Sequence, residues 1–175
     1  MQSMSWRVRC GLALLVLLVA GTGFAPGDAR AQGGRWLTES SPAPALLLQD
    51  MEGRDVDLAN LKGRLVIVNF WATWCGPCVA EMPSLQVLAQ RLGDTKAVVL
   101  GVNYHESVQK IRDFQLRVPT RLVLLRDPWQ SVSAAWKVST LPTTFIVDSR
   151  GVVRFQVLGE VDWADPLVLQ RLQKL

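Results

Sequence analysis

Histidine and cysteine are scarce in this 175-residue chain, which holds one His, His105, and three Cys. That shortage excludes two common designs. A structural zinc site takes four Cys or His ligands, and a secreted domain stapled by disulfides carries several spaced pairs. Long apolar runs are also missing. The stretch from Cys10 to Ala25 is shorter than the roughly 20 residues that span a bilayer as a helix. Lys and Arg are scattered, with no basic stripe and no aromatic-interleaved basic patch, so nothing favours nucleic-acid binding. Internal repeats and low-complexity tracts are absent from the sequence.

The N-terminus reads as a targeting segment. Arg7 and Arg9 form a short positive region, Gly11 to Ala20 is apolar, and Ala29-Arg30-Ala31 has the small-x-small spacing of a cleavage site. Residues 1–31 are therefore expected to be a secretory signal peptide, with an uncleaved anchor as the alternative. Cys10 precedes the apolar run, so it does not read as a lipid attachment site. Loss of Arg7, Arg9, Arg30 and Asp28 takes the formal charge from +4 to +2. Residues 32–40 are polar and glycine-containing and read as a linker, leaving 41–175 as one domain.

Without the leader, only Cys75 and Cys78 remain. A pair this close closes a tiny loop and constrains little of the unfolded chain, so its value should be chemical. Leu65 to Trp71 is almost continuously apolar, the pattern of a strand covered on both faces. Asn69 is its one polar member and must find hydrogen bonds in the interior. A helix should begin at Cys75 or Gly76 and run to about Leu92. Pro77 suits its first turn, whereas Pro83 should kink it. Cys78, Glu81, Leu85, Leu88 and Leu92 fall on one stripe of that helix, which places a carboxylate in the apolar layer beneath the cysteines.

The other elements frame this unit. Ser41-Pro42-Ala43-Pro44 is stiff and extended. Ala45 to Gln49 and Asp55-Val56-Asp57 read as a hairpin around the turn Asp50 to Gly53, and Leu58 to Leu61 as a helical turn. Further strands are expected at Ala97 to Asn103, Leu122 to Leu125, Thr143 to Val147 and Val152 to Leu158. Helices are expected at Glu106 to Leu116 and around Ser131 to Trp136. Asp165-Pro166 caps a last one, with Leu167, Leu169 and Leu172 giving apolar spacing. Either Val108, Ile111 and Gln115 or Phe114 and Val118 face inward on the Glu106 helix. This order predicts an α/β domain with a central mixed sheet covered by helices.

Disulfide exchange needs an accessible thiolate, a second thiol that resolves the mixed disulfide, and a route for protons. Cys75, at the helix start, is the expected attacking sulfur, and unpaired N–H groups there favour its thiolate. Cys78, inside the first turn, is the resolving sulfur. Glu81 is the expected proton acceptor because a carboxyl among leucines has a raised pKa. An ordinary first-turn glutamate, favoured by the helix dipole, is the plainer reading of the same residue. Trp74, beside Cys75, reads as part of a docking surface, whereas Trp129, Trp136 and Trp163 read as core or loop-packing residues. His105 is assigned no role.

With these residues in place, the chain resembles the thioredoxin superfamily, and more closely the secreted or membrane-tethered bacterial thiol–disulfide oxidoreductases of the TlpA/ResA/CcmG type. The resemblance rests on Val68-Asn69-Phe70-Trp71-Ala72-Thr73-Trp74-Cys75-Gly76-Pro77-Cys78, then Glu81-Met82-Pro83, and on Leu141-Pro142-Thr143-Thr144-Phe145-Ile146-Val147-Asp148. It implies a thioredoxin-like fold with an N-terminal β-hairpin extension and a central insertion within about Val102 to Arg121. It implies a cis peptide before Pro142, with Trp74, Gly76, Pro77, Leu141 and Pro142 forming the docking groove. Asn69 stands where cytoplasmic thioredoxins carry a buried aspartate, so proton handling falls to Glu81. A periplasmic location follows from the resemblance and the leader. So do disulfide-containing protein substrates, a membrane thiol–disulfide electron donor, a possible membrane tether, a monomeric state and no cofactor or metal. Apocytochrome c and its maturation machinery, or a cuproprotein-assembly factor, are the implied clients.

Two rivals stand beside the reductase. One is an oxidant that introduces disulfides, since direction follows the reduction potential. The other is a non-catalytic metal-delivery module using Cys75, Cys78 and His105. A peroxidase is disfavoured because the P-x-x-x-T-x-x-C spacing around Thr73 and Cys75 is missing.

Overall fold

The structure, a computed structural model, describes residues 34–93 and 95–175. The expected signal peptide and the first two linker residues lie outside the described residues. Eight strands form one sheet: β1 (Arg35–Pro42), β2 (Leu47–Asp50), β3 (Asp55–Asp57), β4 (Leu65–Trp71), β5 (Ala97–Tyr104), β6 (Val123–Asp127), β7 (Thr143–Val147) and β8 (Val152–Leu158). Four α-helices accompany them: α1 (Gly76–Leu92), α2 (Val108–Arg117), α3 (Ser131–Ala135) and α4 (Pro166–Leu172). A 3₁₀ turn covers Leu58–Leu61. The spatial order is β1-β8-β7-β4-β5-β6-β2-β3. β4, β5 and β6 run parallel, and every other pairing is antiparallel.

The period of two along β4 divides the core. Ile67 and Trp71 face the side packed by Met82, Leu85 and Leu88 of α1, Ile111 and Phe114 of α2, and Val168 and Leu172 of α4. Val66, Val68 and Phe70 face the other side, with Leu58, Val132 and Trp136. Each face of the sheet is thus covered, which is why β4 can be apolar apart from Asn69. Gly101 of β5 lies against the Trp71 indole; a Cβ there would come within 2.8 Å of Leu124 Cδ2 and 3.2 Å of Trp71 Nε1.

Three expectations need correction. The linker read at 32–40 is, from Arg35 onward, the edge strand β1, paired to β8 from Arg35↔Leu158 to Pro42↔Val152. Its polar sequence hid it, because one side of an edge strand faces water and only Trp36 packs deeply, against Phe155 and Trp163. On α4 Leu172 is buried and Leu169 packs partly against the core as the spacing suggests, but Leu167 is exposed and Val168 takes the remaining inward place. Trp129 is no core residue: it is 85% exposed, while Trp136 and Trp163 are buried as expected. The alternatives left open for α2 resolve into one residue from each set, Ile111 and Phe114, four-fifths of a turn apart on one stripe.

Candidate active site

The parallel strands end at one edge of the sheet, and the site is built there. β4 delivers Trp71, after which the chain turns through Thr73 and Trp74 into α1. Cys75 is the N-cap of α1, and its Sγ accepts the Cys78 backbone N–H at 3.3 Å. Cys75 and Cys78 form a disulfide with a Cα–Cα separation of 5.3 Å. Cys75 keeps 6% of its surface and Cys78 none, so the expected order of access holds, although Cys75 is more covered than the sequence suggests. Gly76 and Pro77 are exposed, and Trp74 is 63% exposed beside them.

The Leu141–Pro142 peptide is cis. The β4–β7 register pairs Phe70 with Thr143, so Pro142 falls alongside Trp71 at the end of β4, next to the cysteine loop. Trp74 and Leu141, with Tyr104, Val138, Ser139 and Thr140, line one depression of about 360 Å³. Of the residues expected to form a docking groove, Trp74 and Leu141, far apart in sequence, line this depression, whereas Gly76, Pro77 and Pro142 do not.

Beneath the cysteines, Glu81 is 2% exposed. Its Oε1 accepts from Asn69 Nδ2 at 2.7 Å, and its Oε2 accepts from the Val161 backbone N–H and the Trp163 indole N–H, each at 3.1 Å. Asn69 Nδ2 also donates to Thr144 Oγ1 at 2.9 Å, which satisfies the polar member of β4. Burial pushes Glu81 up to about 7, against these three hydrogen bonds, and nearby Glu160 adds to the rise. Ser84 sews the same corner together: its hydroxyl donates to the Glu81 carbonyl and accepts the Trp163 backbone N–H at 3.1 Å.

A second buried carboxylate was missed in the sequence. Glu106, 8% exposed, lies between β5 and α2 and reaches the loop that precedes Cys75. Its Oε2 accepts from the Thr73 backbone N–H at 2.7 Å and from Asn103 Nδ2 at 2.8 Å, and its Oε1 accepts from Thr73 Oγ1 at 2.7 Å. Lys110 Nζ lies 3.2 Å away. Burial would raise this carboxyl, but the Thr73, Asn103 and Lys110 contacts outweigh it and hold Glu106 below the usual carboxylate range. The only local hint is an acid placed directly before Ser107, the N-cap of α2. Its partner loop is 33 residues away.

Residues 40–156 match the AhpC/TSA family. The chain is 32% identical to the thiol-disulfide oxidoreductase ResA of Bacillus subtilis, over 87% of this chain and 84% of ResA. It is 33% identical to the thioredoxin-like protein YneN of the same organism, over 81% of this chain and 84% of YneN. Among solved structures it superposes with TM-score 0.68 on a Chlorobium tepidum protein described as a DsbE thiol:disulfide interchange protein. That match has 27% identity and covers 79% of this chain and 94% of the other.

Proposed function

We propose, from the premise that this chain belongs to the AhpC/TSA family and is a thiol–disulfide oxidoreductase of the ResA type, that it reduces disulfides of partner proteins in the periplasm. The observation that carries this reading is the Cys75–Cys78 disulfide at the start of α1, in which Cys75 as a residue keeps 6% of its surface and Cys78 none. In the reduced protein, the Cys75 thiolate attacks a partner disulfide, forms a mixed disulfide and expels one partner thiolate. Cys78 then attacks Cys75 Sγ, re-forms the Cys75–Cys78 bond and releases the second partner thiolate. Two electrons pass to the partner, and the protein ends oxidised. A membrane thiol–disulfide donor restores it. Apocytochrome c and cuproprotein-assembly factors are the client classes this reading favours. The leader at 1–31 supports export, and among the described residues no helix is long and apolar enough to cross a membrane.

Glu81 takes the proton that Cys78 gives up. A carboxyl near pH 7 is matched to that task, since it gains and loses a proton close to the working pH. Asn69 cannot titrate, but its amide has two faces. Its NH₂ supports the Glu81 carboxylate; turned over, its oxygen accepts from a protonated Glu81 and from the Thr144 hydroxyl.

Reduction of insulin disulfides tests the assignment. Cys75→Ser should abolish turnover, and Cys78→Ser should accumulate mixed disulfides with partners. Full activity in Cys75→Ser would overturn the proposal. A redox titration, with the in-cell state of the pair, fixes the direction; a pair held oxidised at steady state would replace the reductase with an oxidant.

A further inference from the structure

Trp129 is the largest apolar side chain left uncovered among the described residues, 85% exposed. It is not on a loose loop. Asp127, fully buried at the end of β6, accepts from the Ser133 backbone N–H and the Ser133 hydroxyl, each at 2.7 Å, and from the Ser131 hydroxyl at 3.3 Å. His105 Nδ1–H donates to the Pro128 carbonyl at 2.6 Å, and the His105 backbone N–H donates to the Asp127 carbonyl at 3.2 Å. An indole held out on so constrained a turn is placed for contact, because exposed aromatic surface that is already ordered loses little entropy when a partner covers it.

Topology relates this indole to the redox pair. β4, β5 and β6 are parallel, so Trp71, Tyr104 and Asp127 end at the same edge of the sheet. β2 is antiparallel to β6, so its first residue, Leu47, reaches that edge too, and it is also exposed. Two depressions result, each of about 360 Å³. One is lined by Trp74, Tyr104 and Leu141 beside the cysteines, the other by Leu47, Pro128 and Trp129. The Tyr104 hydroxyl, from the first depression, donates to Oε1 of Gln130, the residue after Trp129, at 3.2 Å.

We propose that this apolar track, from Trp74 over Tyr104 to Trp129 and Leu47, docks an extended segment of the disulfide-bearing partner and seats one of its apolar side chains against Trp129. The occupant follows from continuity with Cys75. Exchange must bring a partner sulfur to that atom, and the chain carrying it has to leave along the adjoining surface. Strands are about 4.8 Å apart, so β4 to β6 or β2 is roughly 10 to 14 Å, which an extended chain covers in roughly three to four residues. The partner's apolar residue therefore lies about that far from its reacting cysteine.

This inference rests on Cys75 as the attacking sulfur, and the test separates the two. The probes are single-cysteine peptides whose thiol is joined in a disulfide to thionitrobenzoate, with Leu or Ser three or four residues before or after the cysteine. Attack by reduced Cys75 breaks the peptide's disulfide and releases coloured thionitrobenzoate. In single turnover, the reduced wild-type protein should prefer one of the Leu peptides over its Ser counterpart by roughly tenfold in the second-order rate of thionitrobenzoate release, mainly through the half-saturating peptide concentration. Trp129→Ser and Leu47→Ser together should reduce that preference to near unity. Their rates with the free small disulfide of thionitrobenzoate should equal the wild type's. Absence of any preference, or its survival in the double variant, would overturn the docking proposal. So would sedimentation showing a wild-type dimer that Trp129→Ser disperses, since the track would then be a self-association face. Failure of the wild type to react with the free small disulfide would instead overturn the role of Cys75.

Discussion

Glu81 and Glu106 are two buried carboxylates on either side of the same cysteine loop, Glu81 the deeper of the two, and the structure pushes them in opposite directions. Glu81 rises to about 7, and Glu106 falls below its ordinary range. Burial penalises the charge of both. The hydrogen-bond counts are similar, with three donors on each. What separates them is how deep they lie and how tightly they are held. Glu81 is 2% exposed and two of its three bonds are 3.1 Å, whereas Glu106 is 8% exposed and all three of its bonds are 2.7 to 2.8 Å. Lys110 adds a smaller contribution of the same sign on Glu106, and Glu160 a small one of the opposite sign on Glu81. A deeply buried carboxyl whose hydrogen bonds fall short of what its desolvation demands stays free to exchange a proton; one whose short hydrogen bonds outweigh its burial is fixed as an anion and serves as a clamp. The first lies beneath the redox pair and the second holds Thr73, two residues before Cys75.

The largest way to break this contrast is through pH. Because the folded pKa of Glu81 lies above its ordinary value of 4.5, the folded state binds the proton more tightly than the unfolded one. The contribution of Glu81 to stability is thus fully present below about pH 4.5 and is lost as pH rises to about 7, by roughly 3 kcal/mol in total. Glu81→Gln lacks that loss. Denaturant titrations of the oxidised protein should show the variant gaining on the wild type by about this amount between pH 4 and pH 8. A gap that stays constant with pH would show that Glu81 is not raised. In the reduced protein, the same variant should slow exchange or shift its pH profile.

Glu106→Ala should come next, at about 2 kcal/mol of stability, since it leaves the Thr73 N–H and the Asn103 amide without their acceptor. It should also lower kcat/KM on protein disulfides, because Trp74 and Cys75 follow directly from Thr73; unchanged melting and unchanged kinetics would remove Glu106 from the site. Trp163→Phe deletes one of the three donors to Glu81, a change of about 1 kcal/mol, and should move the Glu81 midpoint further up. Carboxyl NMR or the midpoint of the stability profile reads that shift. Lys110→Met should have the smallest effect. Its side chain is 58% exposed, so the ion pair contributes about 0.5 kcal/mol or less, and Glu106 should remain an anion on its Thr73 and Asn103 bonds.

The regular elements near the cysteines were legible because their signals are local. Seven residues from Leu65 to Trp71 form β4 as read, and the stripe that put Glu81 with Leu85 and Leu88 is the buried face of α1. The hairpin of β2 and β3 and the capped start of α4 were also legible. β1 was not, because an edge strand needs pairing on one side only and its polar residues face water. Trp129 was misread because tryptophan composition favours burial, and nothing local shows that the turn after β6 points its indole outward.

By itself, the sequence determined the redox pair, its place at a strand-to-helix junction, and the burial of Glu81, since spacing along a helix fixes which side chains share a face. Only the tertiary structure decided what surrounds them. Val161 and Trp163, about eighty residues on, donate to Glu81, and Glu106, 33 residues on, holds the loop before Cys75. Those contacts depend on which strands neighbour which in the sheet, and strand order is a property of the folded whole that no local window of residues encodes.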